Sequence, residues 1–356
     1  MTVNASLAQD WAGRVGLAPH IALDEAVLAF IRSRQPKDPP REEAERSMAE
    51  MAAAAKLFES EGWLADPRSY HRAPHPLRSS DLQSHGSTTV PRHETVTFAS
   101  NFRPREAEPG AQRWTATEDN DTVLVRLLRH REPRAPWVVC LHGFGMGSSR
   151  FDVTFVWGSY LHKQLGFNVA VPVLPFHGPR RMPGDFQMLS MDLSATLHSI
   201  SQAIWDIRRL VGWIQETSGA PVGVYGLSLG GYLAALLAGV EPLDCVVAGV
   251  PFVDVPALMA HHSPPPAYLD TLRATETHDV FRVVSPLAIK PLLPRDRRAI
   301  VAARADRLIP ADQPPALQAA WESSRLDWCN GGHVGFVWSR TAKSLVGQRF
   351  QESLYA

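Results

Sequence analysis

Ser228 stands alone among small and apolar residues in "VYGLSLGGYLAALLAG", residues 224–239, with a glycine two positions before it and another two after. The spacing Gly226-Leu227-Ser228-Leu229-Gly230 suits a chain that turns from strand to helix within one or two residues and lifts a single side chain above a sheet edge. In such a turn the serine takes a strained backbone conformation. Its neighbours at two residues' distance approach so closely that a Cβ would collide, and glycine removes the collision. The helix that follows aims its N-terminal amides and dipole at the same spot, which favours negative charge there. A serine hydroxyl is a weak nucleophile, so it needs a base within hydrogen-bond reach and an acid that orients the base.

Both partners are expected downstream, in the order acid and then histidine. In "AARADRLIPADQ", residues 302–313, Asp306 falls directly after the apolar run "AIVAARA", at the carboxyl end of an expected strand where a side chain is held rigidly. Asp312, six residues on, and Asp254, after the preceding strand, are the competing acids. "CNGGHVGF" sets His333 just beyond the last apolar strand, in a loop made compact by Gly331, Gly332 and Gly335. His261, His262 and His278 also follow the serine, but they precede the acid and lie in a Pro-rich insertion. A tetrahedral oxyanion needs donors already in place. "LHGFGMGSS" follows the run "WVVCL" and offers the backbone N–H of Phe144, to be paired with that of Leu229 just after the serine. Gly143-x-Gly145 also opens like a dinucleotide-binding fingerprint, but its third glycine position is Ser148, and no acidic residue closes a second strand at the required distance.

The elements that must position these residues follow from hydrophobic periodicity. Residues 1 to about 66 read as helical, with Ile21, Ala26, Val27, Phe30 and Ile31 at helical spacing in "HIALDEAVLAFIRSR" and strong helix formers in "REEAERSMAEMAAAAKLFESEGWL". Residues 67–93 are rich in Pro, Ser and His without periodicity, as expected of a linker or a surface arm. From residue 94, alternating strands ("ETVTFAS", "TVLVRLL") give way to continuous apolar runs ("WVVCLHG", "NVAVPVL", "VGVYG", "DCVVAGV", "AIVAARA", "RLDWCNG"). A long amphipathic helix is expected around "LHSISQAIWDIRRLVGWIQET". The alternation predicts an α/β fold: a mostly parallel eight-stranded sheet with helices on both faces, preceded by a helical N-terminal extension. The expected division is 1–93 for the extension and arm and 94–356 for the sheet-bearing domain. Within the latter, the segment at about 251–298 is longer than an ordinary connection and reads as a lid. Leu258, Met259, Tyr268, Leu269 and Phe281 of that segment could line an acyl pocket, or pack on the sheet.

Composition narrows the partners. Among 356 residues, 36 basic side chains balance 36 acidic ones, so no excess cation is available for nucleic acid or an anionic membrane. Hydrophobic residues make up 45% of the chain, enough for a large core. Cys140, Cys245 and Cys329 are odd in number and sit in apolar runs, which fits buried free thiols in a reducing compartment. The uncharged stretch from Thr217 to Val240 is long enough to span a bilayer, yet its six glycines and its β-branched first half read as strand, turn and helix. The start "MTVNASLAQDWAGRVGLAPH" lacks an unbroken apolar core and does not read as a signal peptide, so a cytoplasmic location is expected. His71 and His75 are separated by Pro74, which breaks the helix that would bring them together on a metal.

Residues 94–350 resemble the α/β-hydrolase superfamily. The resemblance is carried by His142-Gly143-Phe144-Gly145 after the third strand, the Gly226–Gly230 turn, Asp306 after the seventh strand and His333 after the eighth. "LPFHGPRR", residues 174–181, resembles the segment that these proteins have after the fourth strand. What the resemblance implies is a Ser-Asp-His hydrolase that works through an acyl-enzyme with no metal or organic cofactor. The expected activity is cleavage of a small carboxylic ester, with Ser228, Asp306 and His333 catalytic and Phe144 and Leu229 at the oxyanion. Gly143, His177, Met259 and Tyr268 are candidate substrate contacts. His177, Arg180 and Arg181 could meet an anionic group, or could simply tie down their loop. A serine at the turn separates the chain from relatives with aspartate there, such as haloalkane dehalogenases and epoxide hydrolases. The same residues would also serve a thioesterase, amidase, peptidase or acyltransferase, or remain idle in a binding protein. The N-terminal helices would form a cap or a contact between copies.

Overall fold

Short β-branched and apolar runs form strands, and the intervening periodic segments form the helices that cover them. A computed structural model describes residues 3–33, 41–114, 118–132, 134–182, 187–262 and 264–355. Its strands are β1 (Gln83–Thr89), β2 (Arg92–Ala99), β3 (Thr122–Leu128), β4 (Trp137–Leu141), β5 (Asn168–Pro172), β6 (Val222–Leu227), β7 (Cys245–Gly249), β8 (Arg298–Ala303) and β9 (Arg325–Cys329). They make one sheet in the order β1-β2-β3-β5-β4-β6-β7-β8-β9. From β1 to β5 the neighbours along that order are antiparallel, and from β5 to β9 they are parallel. The parallel strands are buried along their whole length from β4 to β8, which is why their sequences read as unbroken apolar runs.

The ninth strand is a departure from the eight expected. β1 comes from the polar "QSHGSTT", exposed at nearly every position, and pairs only with β2 through a register shift between Ser84 and Ser87. A strand with solvent on both faces leaves no hydrophobic alternation to read, and a polar, irregular edge strand is also one that resists pairing with other chains.

Helices α1 (Val3–Ser33) and α2 (Arg41–Ser60) precede the sheet. Helix α3 (Leu193–Ser218) opens with the Asp192 side chain accepting the Ala195 N–H at 2.9 Å and ends at Gly219, whose φ of +60° stops the helix. The elbow helix α4 (Leu229–Leu237) is followed by α5 (Val255–His261), α6 (Pro266–Arg273) and α7 (Thr275–Phe281), all in the long segment after β7, and then by α8 (Gln313–Ala320) and α9 (Arg340–Leu354). One core, with Val139, Val224, Ile200 and Leu233, lies between the sheet and α3 and α4. The other, with Val138, Val247, Val346 and Phe350, lies between the opposite face and α9. Helix α2 joins the first through Met51, Ala54 and Phe58, packs beside α6 and α7, and donates a hydrogen bond from Ser47 Oγ to the Met191 carbonyl at 3.1 Å. All three cysteines are free and buried. Among the described residues no helix is long and apolar enough to cross a membrane.

Helix α1 turns a different face inward from the one its apolar spacing suggests. Ile21, Ala26, Phe30 and Ile31 are exposed, and among its described side chains the buried ones are Asp24 and Leu28. The reason is what it packs on. Its neighbour is the loop and short helical turn after β9, Val334–Trp338, where the backbone N–H groups of His333 and Val334 meet the Asp24 carboxylate.

Candidate active site

The turn after β6 places Ser228 at φ +57° and ψ −112°, a positive-φ backbone that side-chain-bearing residues rarely adopt. Its neighbours hold it there. The Ser228 N–H donates to the Gly249 carbonyl at 2.8 Å, and its own carbonyl accepts the Tyr232 N–H at 2.9 Å. A Cβ on Gly226 would lie 1.9 Å from the Gly230 carbonyl oxygen, and one on Gly230 would lie 2.1 Å from the Leu141 carbonyl oxygen. Both glycines are therefore required by close backbone approach.

Asp306 follows β8 and His333 follows β9, and both side chains reach the serine's edge of the sheet. His333 Nε2 lies 2.8 Å from Ser228 Oγ, and Nδ1 lies 2.7 Å from Asp306 Oδ2. An ionised carboxylate only accepts, so Nδ1 carries the proton and Nε2 is left to accept from the hydroxyl. The other carboxylate oxygen, Oδ1, accepts the Leu308 and Ile309 N–H groups at 2.9 Å each, which fixes the carboxylate plane. Burial pulls the His333 pKa down, but the Asp306 charge and hydrogen bond, with a further contribution from Asp24, outweigh it and leave the imidazole above its ordinary value. The competing acids stand elsewhere. Asp254 caps α5 by accepting the Ala257 N–H at 2.9 Å, and Asp312 is exposed ahead of α8.

The glycine loop after β4 lies alongside. A Cβ on Gly143 would be 3.7 Å from Ser228 Cβ, in ordinary contact. The loop is braced from behind: Asp152 Oδ2 accepts the Gly147 and Ser149 N–H groups at 2.9 and 3.0 Å, and Arg126 donates to the Gly147 carbonyl at 3.0 Å. Leu229 is the first residue of α4, so its N–H has no acceptor within the helix. Phe144 sits on the loop with its ring half exposed, 5.4 Å from that of His177.

His177 itself is buried, donates from Nδ1 to the Pro175 carbonyl at 2.8 Å, and is held neutral, its pKa lowered to about 4 chiefly by burial. Arg180 is fully buried against Asp206 at 2.9 Å and the carbonyls of Asn120 and Val173, so this arginine ties its loop down. Met259 and Tyr268 are buried in the helical layer, Met259 in the apolar core and Tyr268 among the charges of Glu43, Arg46 and Asp192 on the α2 side. Among the described residues, no group of three or more His, Cys, Asp or Glu is arranged to hold a metal ion.

One residue at the site has no counterpart among the residues that motif and spacing single out. Asp24 of α1 is 0% exposed, and its carboxylate accepts the N–H groups of His333 at 2.7 Å, Val334 at 2.9 Å and Arg307 at 3.1 Å. The only signal in the chain is its place four residues before Leu28, which makes a stripe that is buried but not apolar.

A sequence profile of the alpha/beta hydrolase family matches residues 138–354. Two uncharacterized proteins of Mycobacterium tuberculosis, MT2702 of strain CDC 1551 and Rv2627c of strain H37Rv, are each 36% identical to the chain over 346 residues, which is 95% of this chain and 83% of each relative. Among solved structures, TT1662 from Thermus thermophilus is similar at a TM-score of 0.50 and 18% identity, over 66% of this chain and 94% of its own. An acetyl xylan esterase from Paenibacillus sp. R4 is similar at 0.51 and 14% identity, over 80% of this chain and 98% of its own. At such identities these two likenesses speak to the fold.

Proposed function

The chain belongs to the alpha/beta hydrolase family, and from that premise we propose that it is a serine hydrolase that cleaves carboxylic esters. The observation that carries the reading is the unbroken hydrogen-bonded line from Asp306 through His333 to Ser228. Ser228 Oγ attacks the ester carbonyl while His333 Nε2 takes its proton, and Asp306 keeps the imidazole in the receptive tautomer and stabilises the imidazolium. The backbone N–H groups of Phe144 and Leu229 receive the oxyanion, with the start of α4 adding its dipole. Collapse of the tetrahedral species expels the alcohol, which takes its proton from His333. Water, activated by the same base, then releases the acid from the serine ester. Gly143 and His177 line the alcohol or acyl side close to the oxyanion, and the helical layer containing Met259 and Tyr268 receives the acyl chain. The N-terminal helices α1 and α2 act as a cap on the sheet-bearing domain.

The decisive experiment is labelling with a fluorophosphonate probe, followed by hydrolysis of 4-nitrophenyl esters of increasing acyl length. We expect one adduct, on Ser228, and a Ser228→Ala variant that folds normally with turnover reduced by about 10⁶-fold, the scale on which loss of a serine nucleophile acts. An unlabelled Ser228 in the intact protein, or a variant that still turns over, removes the reading. A flat chain-length profile removes only the acyl-binding role of the helical layer.

A further inference from the structure

We propose that Asp24 is a positioning residue, a buried carboxylate on the N-terminal helix that staples the Asp306 loop to the His333 loop and so keeps the imidazole at Ser228. The proposal rests on the serine-hydrolase reading above. Three backbone donors converge on this one side chain: His333 and Arg307 on Oδ2 at 2.7 and 3.1 Å, and Val334 on Oδ1 at 2.9 Å. They come from two loops 26 residues apart in sequence, one starting next to the triad acid and the other at the triad base. The His333 and Val334 amides begin the short helical turn Val334–Trp338, where no intrahelical acceptor exists, and buried N–H groups must find a partner. A carboxylate is the strongest partner a side chain can offer them.

The loop is also shaped for the contact. A Cβ on Gly332 would lie 2.8 to 2.9 Å from the carboxylate carbon and both oxygens of Asp24, so only glycine lets the histidine loop close on the helix. By contrast the neighbouring ion pair of Glu25 with Arg307, at 2.8 Å, is about half exposed on both sides and contributes little to the anchoring. Displacement of a general base by about 1 Å is enough to cost up to about 100-fold in rate. The family profile begins only at residue 138, so the staple reaches into the site from outside the matched region.

Electrostatics follow the geometry. His333 faces Asp306 and Ser228 from the sheet edge, Asp24 from α1, and His262 from the end of α5, while Glu25 and Arg307 pair at the rim and His20 lies against Gly335. Two carboxylates therefore favour the charged imidazole, and removal of Asp24 lowers its pKa.

The test compares Asp24→Asn, Gly332→Ala and Glu25→Gln in the full-length protein, with kcat and KM for a short 4-nitrophenyl ester measured across pH and thermal unfolding measured in parallel. Asp24→Asn keeps the size of the side chain but sets an NH₂ donor against N–H donors. We expect kcat to fall at least about 10-fold, equivalent to about 1.4 kcal/mol, with KM nearly unchanged, and the acid limb of kcat/KM to move to lower pH. Gly332→Ala should lower kcat in the same way from the loop side, and Glu25→Gln should alter neither quantity. A wild-type kcat and acid limb in folded Asp24→Asn overturn the proposal; if that variant does not fold, an unchanged kcat in Gly332→Ala does so. A wild-type protein that no fluorophosphonate labels defeats the serine-hydrolase reading instead. In that event amide hydrogen exchange at His333 and Val334 still tests the staple, since equal protection with and without the Asp24 carboxylate overturns it.

Discussion

At the scale of single residues, the line from Asp306 to Ser228 depends on which nitrogen of His333 holds the proton. The carboxylate accepts from Nδ1 and leaves Nε2 bare toward the hydroxyl. An amide at position 306 presents a donor as readily as an acceptor, so Asp306→Asn admits the tautomer in which Nε2 is protonated and cannot receive the serine proton. Its kcat should fall by about 10³- to 10⁴-fold, the loss that follows when a triad carboxylate becomes an amide. Asp312 is exposed, and Asp312→Asn should stay within about twofold, the usual reach of a surface change. Ester kinetics on the two variants separate them, and equal losses would move the acid away from Asp306. Asp306 was legible because a strand-end acid sits where strands deliver side chains. Asp24 was not, since its partners are backbone amides of loops some 280 to 310 residues away, and no side-chain pattern marks a backbone donor.

At the scale of elements, the turn from Gly226 to Gly230 holds the two closest backbone approaches to any glycine among the described residues. The atoms facing Gly226 and Gly230 are main-chain oxygens of Gly230 and Leu141, which cannot swing aside as a side-chain tip can. Gly226→Ala must therefore push α4 off β6 or unwind the turn. The expected cost exceeds about 4 kcal/mol, beyond the range of ordinary substitutions, read as a large drop in the urea midpoint or a failure to fold. Gly212, in the middle of α3, gives the contrast, because a Cβ added there would meet nothing within 4 Å. Gly212→Ala should raise stability by up to about 1 kcal/mol through helix propensity alone. Comparable losses in both variants would show that glycine content, and not close approach, governs the turn. The glycine spacing made this element readable from the chain. β1 was unreadable because it buries neither face, and α1 was readable as a helix but not in its inward face, which buries a carboxylate where periodicity looks for an apolar stripe.

At the scale of the whole molecule, three histidines far apart in sequence are enclosed where the layers meet. His71 leaves the segment after α2 and bonds the Val283 carbonyl, in the long segment after β7, at 2.7 Å. His142 joins the end of β4 to the strand beyond it, with Nδ1 on the Gly143 carbonyl and Nε2 accepting the Leu174 N–H at 3.1 Å. His177 packs edge-on to His142, 5.1 Å away. Burial, as the main cause, lowers their pKa values to about 4, about 3 and about 4 respectively, against about 6.5 in an unfolded chain. Between those limits the unfolded state binds more protons than the folded one. The stability these groups contribute is therefore complete above about pH 6.5 and is lost as pH falls toward 4, at about 1.4 kcal/mol per pH unit for each histidine. His333 acts in the opposite sense, because its pKa is raised on folding and its contribution fades as pH rises. One group against these three, and against His93, His162, His198 and His262, whose pKa values burial also lowers, leaves a net decline on the acid side. Urea unfolding at pH 7.5 and 5.5 should show it, and His71→Gln, which keeps a donor toward Val283 but does not titrate near neutrality, should make the slope shallower by up to about 1.4 kcal/mol per pH unit, the most that one histidine contributes. A slope unchanged in His71→Gln would mean that the segment after α2 opens before its histidine is protonated, and that the layer formed by α2 and the long segment after β7 is not held by this contact.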